Sequence, residues 1–225
     1  MNNTKIEWCD STLNPVIGCT YGCEFCYARR LNNRFNWVED FANPQFFVER
    51  LKQLSSKKPK NIFMDSMSDI ADWSMDWVEK TFKAIKENPQ HNYLFLSKRP
   101  ERIYENWLQF GWKNIWCGAT GTGHQTANNA LYYLDGIRGC NTFLSLEPLL
   151  NEIQLSNGIE HINWVIIGAE TGNRKNKVVP KAEWVERIVS DCDKYSIPVF
   201  MKESLLPVIG ESNMRREFPE GLKRS

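Results

Sequence analysis

Three cysteines stand within eight residues, in the run Cys19-Thr20-Tyr21-Gly22-Cys23-Glu24-Phe25-Cys26. Thiolates at this C-x3-C-x2-C spacing can wrap one face of a cubane cluster and hold three of its irons, leaving the fourth iron open to another ligand. Soft sulfur donors select iron–sulfur, zinc or copper(I) over hard cations. Structural zinc sites usually close four ligands, commonly as two pairs, and no second cysteine pair occurs here. Cys9, His124 or His161 can still supply a fourth ligand, so zinc stays open on spacing alone. Simple packing of three buried thiols suits this segment poorly, because Gly22 and Glu24 give the loop a polar character.

The elements that must position such a loop are legible in the apolar runs. Six short stretches rich in Val, Ile, Phe and Leu, at 61–65, 92–97, 115–119, 142–147, 164–168 and 198–202, lack strict alternation. Strands buried on both faces of a parallel sheet read this way. A seventh, weaker strand is expected over 13–18. Helical periods lie between them. Asn43 can cap a helix with Pro44 in its first turn and Phe47, Leu51 and Leu54 on one face, and Ser74 starts another carrying Val78, Phe82 and Ile85. Pro100 opens a third with Ile103, Trp107 and Phe110. A fourth carries Ala127, Ala130, Leu131 and Leu134, and a fifth runs from Lys181 with Val185, Ile188 and Cys192 inward. The link 148–162 holds no convincing helix.

Alternation of this kind predicts an α/β fold with a partial parallel (β/α) barrel of about six to seven strands, an open doubly wound sheet being the alternative. With no Pro/Gly/Ser linker or repeat, a single domain over 1–225 is expected.

Composition bounds the rest. The chain has 225 residues, 42% apolar and 24% charged, which is enough for a core and excludes disorder and a disulfide miniprotein. Lys plus Arg number 28 against 27 Asp plus Glu, for a formal charge of +1, so any attraction to nucleic acid must be local. The seven cysteines are an odd number and too few for a scaffold of disulfides. The amino terminus lacks a signal-peptide core and no run approaches the roughly 20 apolar residues of a membrane helix, so a soluble, cytoplasmic protein is expected.

Chemistry in parallel α/β folds gathers where strands end. Those ends carry Cys19, Asp65 and Ser66, Ser97 to Arg99, Thr120, Glu147, Glu170, and Lys202 with Glu203. Glu170, between Gly168 and Gly172, can take ribose hydroxyls or a substrate amine, or serve as a turn acid. Lys202 and Glu203 can pair with each other. Arg29, Arg30, Lys98, Arg99, Arg174, Lys175 and Lys202 all follow strands or the cysteine loop, and several are expected around one mouth that attracts phosphate, unless they are solvated surface. Trp73, Trp77 and Trp112 lie near polar loops and are candidates for stacking on bases.

The cysteine loop, with Phe25 just before its last cysteine, resembles the radical S-adenosylmethionine (radical SAM) superfamily. Asn14-Pro15-Val16-Ile17-Gly18-Cys19 and Tyr27-Ala28-Arg29 are similar to its branch holding spore photoproduct lyase and DNA-photolyase-like proteins. The segments starting at Lys5, Phe143 and Trp164 resemble a phage-associated, uncharacterised family within it, from Lys5 to about Pro219. The resemblance implies a partial barrel of radical SAM type, a 4Fe-4S cluster on Cys19, Cys23 and Cys26, and S-adenosylmethionine on the open iron. It also implies an external electron donor such as flavodoxin or ferredoxin. Phe25 would lie against the adenine. Ser66 and Ser68, in Asp65-Ser66-Met67-Ser68-Asp69, would stand in for the glycine-rich motif that binds the methionine amine. Ser97, Thr120 and Glu147 are candidates for the carboxylate and ribose.

The function expected is hydrogen abstraction from a nucleotide or nucleic acid by a 5'-deoxyadenosyl radical, in modification or repair. Arg99, Glu170, Arg174 and Lys202 are the substrate candidates. The alternatives are a zinc-stabilised nucleic-acid-binding module and an iron–sulfur electron-transfer protein.

Overall fold

The computed structural model describes residues 1–102, 112–155, 158–172 and 174–222. They fall into two compact units, Met1–Ser97 and Lys98–Ser225. No helix among the described residues is long and apolar enough to cross a membrane.

The first unit contains β1 (Asn2–Asn3), β2 (Ser11–Thr12), β3 (Val16–Ile17), α1 (Tyr27–Phe35), β4 (Gln45–Phe46), β5 (Asn61–Phe63), α2 (Met75–Lys86) and β6 (Asn92–Ser97). β1 pairs antiparallel with β2, and β2, β5 and β6 run parallel in that order. α2 forms where the sequence places it: Ser74 caps it by accepting from the Trp77 N–H, and Val78, Phe82 and Ile85 face inward. Phe82 stacks on Phe95 of β6 at 5.4 Å between centroids.

Two expectations for this unit need correction. The span 13–18 is not one strand: the parallel strand is the two-residue β2, and Val16–Ile17 leaves it to form an antiparallel ladder with β4. The helix expected from Asn43 is β4 followed by a 3-10 helix over Val48–Ser55 that buries Leu51 and Leu54. The apolar spacing serves either helix type, and the Phe47 N–H bonds the Pro15 carbonyl at 2.7 Å, so cross-chain pairing takes the first turn.

The second unit contains β7 (Ile115–Thr120), α3 (His124–Asp135), β8 (Asn141–Leu146), β9 (Trp164–Ile167), α4 (Ala182–Asp193), β10 (Val199–Met201) and α5 (Leu206–Ile209). The four strands are parallel in chain order. α3 buries Ala127, Ala130, Leu131 and Leu134, and α4 buries Val185, Ile188 and Cys192, as their periods require. Trp164 is fully buried among Trp116, Phe143, Phe200 and Phe218. Between 148 and 162 the described residues form only a 3-10 turn, Ile159–His161. The helix expected on Ile103, Trp107 and Phe110 lies outside the described residues.

The molecule is thus α/β and built on parallel strands, three in the first unit and four in the second. Apart from β2, their ends fall within a residue or two of the apolar runs.

Candidate metal centre

The cysteine loop leaves β3 through Gly18, whose φ is +118°. A Cβ there would stand 2.7 Å from Pro44 Cα, so this position requires glycine. Gly18 forms a parallel bridge with Ser68, its N–H bonding the Met67 carbonyl at 3.0 Å, and the Cys19 N–H bonds the Phe41 carbonyl at 2.7 Å. Cys26 ends the loop as the N-cap of α1, its sulfur accepting from the Arg29 N–H at 3.3 Å. The Cys19 sulfur accepts from the Tyr21 N–H at 3.5 Å. Both sulfurs pack against an apolar floor of Ile17, Ala28, Val38, Phe41 and Met67.

A second loop, after β5, holds the first in place. Asp72 accepts from both the N–H and the hydroxyl of Thr20, at 2.9 and 2.8 Å. Asn14 Oδ1 accepts from the Ser66 hydroxyl at 3.0 Å and from the Met67 N–H at 2.9 Å. The Tyr27 hydroxyl donates to the Ser66 carbonyl at 2.6 Å. Ser66 and Ser68 are therefore brought beside the cysteine loop. Ser68 Oγ accepts from Trp73 Nε1 at 3.1 Å. Ser97, fully buried, donates to Asp69 at 2.7 Å, so its hydroxyl proton is already committed within the loop. Phe25 is half-buried in the cysteine loop itself. Asn14, Thr20 and Asp72 carry this scaffold and were not singled out from sequence. Their signal is only a short polar side chain near a strand end.

Among the described residues no three His, Cys, Asp or Glu side chains converge closely enough to hold one metal ion. A mononuclear site is therefore not preformed in the loop. Three half-buried thiols on one loop are the soft donor type that a cubane takes, one thiolate to each of three irons. The other ligands considered for zinc are engaged. Cys9 is buried with its sulfur toward the Ile6 carbonyl, His161 pairs with Asp135, and His124 Nδ1 accepts from the Gln154 N–H.

The strand ends of the second unit behave differently. Glu147, after β8, pairs with Lys202, after β10, so the pairing of Lys202 with Glu203 raised from sequence is corrected. Gly168 lies against this pair: a Cβ would meet Glu147 and Lys202 carbons at 3.1 Å. Glu170 forms a two-point ion pair with Arg174, at 2.6 and 2.8 Å, with its own side chain 2% exposed and that of Arg174 31%. The Arg174 hydrogen bonds hold the Glu170 carboxyl below the usual carboxylate range, against the opposing effect of burial. Thr120 is buried, its hydroxyl without a hydrogen-bond partner among the described residues, and Arg99 is buried too. Two of the cations expected to attract phosphate, Arg174 and Lys202, are thus paired with acids of their own unit. Trp73 is core, not an open stacking face as expected, and Trp77 is half-buried with one face packed on Phe46 at 5.6 Å.

A family model described as "Protein of unknown function (DUF5131)" matches residues 3–206. The chain belongs to that family. Among curated proteins, the DUF5131 chain is 32% identical over 88 residues to the uncharacterized protein MJ0683 of Methanocaldococcus jannaschii, covering 38% of this chain and 32% of that relative. The chain thus matches about a third of that relative's length. No solved structure matches. The resemblance to the radical SAM superfamily, its photolyase-like branch and a phage-associated family is corrected by these findings: the matching family is DUF5131, and neither match is to a radical SAM family. A short cysteine motif reports the chemistry a loop can do, and similar chemistry arises in unrelated chains.

Proposed function

We propose that this DUF5131 protein is an iron–sulfur enzyme. In this reading Cys19, Cys23 and Cys26 hold a 4Fe-4S cluster whose open iron takes S-adenosylmethionine. The observation that carries the reading is the built cysteine loop: three soft donors, two of their sulfurs receiving backbone N–H bonds, on an apolar floor and held by Asp72, Asn14 and Tyr27. When bound, such a cluster supplies one electron, from an external donor such as flavodoxin or ferredoxin, to cleave S-adenosylmethionine into methionine and a hydrogen-abstracting 5'-deoxyadenosyl radical.

The chain's own residues have narrower tasks. The N–H donors to Cys19 and Cys26 sulfur stabilise negative charge there, and the N-terminal end of α1 adds to the effect. Met67 and Phe41 keep water from the inner side of the loop. In this reading Phe25 would lie against the adenine, and Ser66 and Ser68, beside the cysteine loop, would hold the methionine amine. The substrate class in this reading is a nucleotide or nucleic acid, and the protein works in the cytoplasm.

The test is anaerobic reconstitution with iron and sulfide, reduction, and assay for 5'-deoxyadenosine. We expect slow formation without substrate, and Phe25→Ala should weaken S-adenosylmethionine binding more than it lowers iron content. An intact cluster that yields no more 5'-deoxyadenosine than a cluster-free control overturns the reading. Zinc in place of iron and sulfide in the isolated protein would point to a zinc-stabilised module.

A further inference from the structure

We infer that the outer face of α1 and the turn after it form a binding surface for single-stranded nucleic acid leading toward the cysteine loop. The inference rests on the reading that the substrate is a nucleic acid and names where it lies. Helix α1 carries Arg29, Arg30 and Arg34 and no acid. Arg30 and Arg34 are exposed, one turn apart on the same face as Tyr27, and neither makes an ion pair among the described residues. Like charges at this spacing repel, so the helix keeps them at a local cost.

The last residue of the helix and the turn beyond it present two large aromatic rings. Phe35 is 52% exposed and Trp37 42%. The rings stack on each other at 5.2 Å between centroids with 24° between planes, and the Arg34 guanidinium lies 5.2 Å from the Phe35 ring centre. This display is constructed. Asn36 takes a left-handed conformation at the helix end, with φ 51°, and the buried Asn32 side chain grips Val38 at both its carbonyl, 2.9 Å, and its N–H, 3.1 Å. Val38 is thereby anchored in the apolar floor under the cysteines while Trp37 is turned outward. The acids flanking this stretch in sequence are Glu24, in the cysteine loop before the helix, and Glu39 and Asp40, which follow Val38; Asp40 accepts from the Ala42 N–H at 2.8 Å.

Stacked rings with a guanidinium beside them, next to cations that lack acidic partners among the described residues, match the alternation of bases and phosphates in a single strand. An acidic protein would satisfy the arginines and would leave the ring faces without a planar partner. Nine helical residues span about 13 Å, and α1 is capped by Cys26 of the cysteine loop, so a strand seated on Trp37 and Phe35 with phosphates on Arg34 and Arg30 runs toward that loop.

The test is fluorescence anisotropy of a labelled single-stranded DNA of about a dozen nucleotides, at low salt and across a salt series. Trp37→Ala and Phe35→Ala should each weaken binding at least about fivefold. Arg30→Ala and Arg34→Ala should each lower the salt slope by about 0.7. Lys57→Glu with Lys58→Glu, exposed elsewhere in the same unit, serves as the charge control and should change binding far less. All these side chains are exposed, and circular dichroism checks that each variant folds.

Unchanged binding by the α1 variants, or a duplex competing as well as the single strand, overturns the inference while leaving a nucleic-acid substrate standing. Absence of binding by the unaltered protein overturns both. Variants that keep oligonucleotide binding but slow reduction by an acidic electron-transfer protein would assign the surface to that protein and overturn the inference. Iron, sulfide and 5'-deoxyadenosine are measured separately, so failure of the cluster reading is seen independently.

Discussion

The polar residues at the strand ends of the two units do opposite things. In the second unit they find one another: Glu147 with Lys202 and Glu170 with Arg174, each an acid neutralised by a base of the same unit. In the first unit Asn14, Ser66 and Asp72 reach instead for the backbone and hydroxyls of neighbouring loops, and what they fix is the path of the three-cysteine segment. A ring of polar strand ends therefore does not by itself mark a site. What separates a scaffold from a self-satisfied surface is whether the polar groups are spent on each other or on holding a chemically capable loop.

The largest expected effect tests the scaffolded loop. Cys19→Ser, Cys23→Ser and Cys26→Ser should each abolish iron and sulfide binding after anaerobic reconstitution, whereas Cys9→Ser, buried away with its sulfur toward Ile6, should retain it. Asp72→Ala should lie between these extremes, because it leaves every thiol in place while releasing Thr20. Equal loss on Cys9→Ser would mean a four-cysteine cluster without an open iron, and the electron-transfer reading would replace the enzyme.

A smaller effect tests the self-satisfied ends. Arg174→Met strands the Glu170 carboxyl in a site where it is 2% exposed, at a cost of about 2–4 kcal/mol. Glu170→Gln leaves Arg174, a third exposed, able to turn to water, so it should cost less. The pH dependence has a definite sign. Glu170 in the folded protein titrates below its ordinary value of 4.5, chiefly through Arg174. Its stabilisation is therefore complete above that value and is lost as the pH falls through the lower, folded-state value. Denaturant unfolding of wild type and Arg174→Met should differ most above about pH 4.5 and converge in more acid solution. A gap that is constant with pH would show that the lost stability is packing around the arginine stem.

The same contrast explains what could be read in the sequence. β6 to β10 were legible because a strand buried on both faces is apolar at nearly every position, and the runs at 92–97 and 115–119 had little else to be. Ser11–Thr12 was not, since two polar residues give no period, and only their pairing with Ile62 and Phe63 makes them a strand. The cysteines announce themselves by spacing, but their scaffold does not: Thr20 meets Asp72 across 52 residues. Glu147 and Lys202 are 55 apart, so each reads as an isolated charge. Among nine tryptophans, polar neighbours pointed to Trp73, which is core. Trp37 is displayed by the grip of Asn32 on Val38, a tertiary contact without a local pattern.

The smallest expected effect has the opposite sign and sharpens the comparison from within the first unit. Arg30 and Arg34 are an i,i+4 pair of like charge on an exposed helix face, which costs about 0.2–0.5 kcal/mol relative to a neutral pair. Arg30→Glu converts repulsion to attraction, with the acid on the N-terminal side, the better orientation. It also places a negative charge nearer the positive end of α1. The two effects together should raise stability by about 0.5–1 kcal/mol in denaturant unfolding of the cluster-free protein at low salt, and the gain should shrink as salt is added. If α1 is kept basic for a polyanion, the same variant should be more stable and bind single-stranded DNA less well. Were Arg30→Glu to destabilise the protein, the arginine would be making a structural contact, and the first unit would then resemble the second in spending its charges on itself.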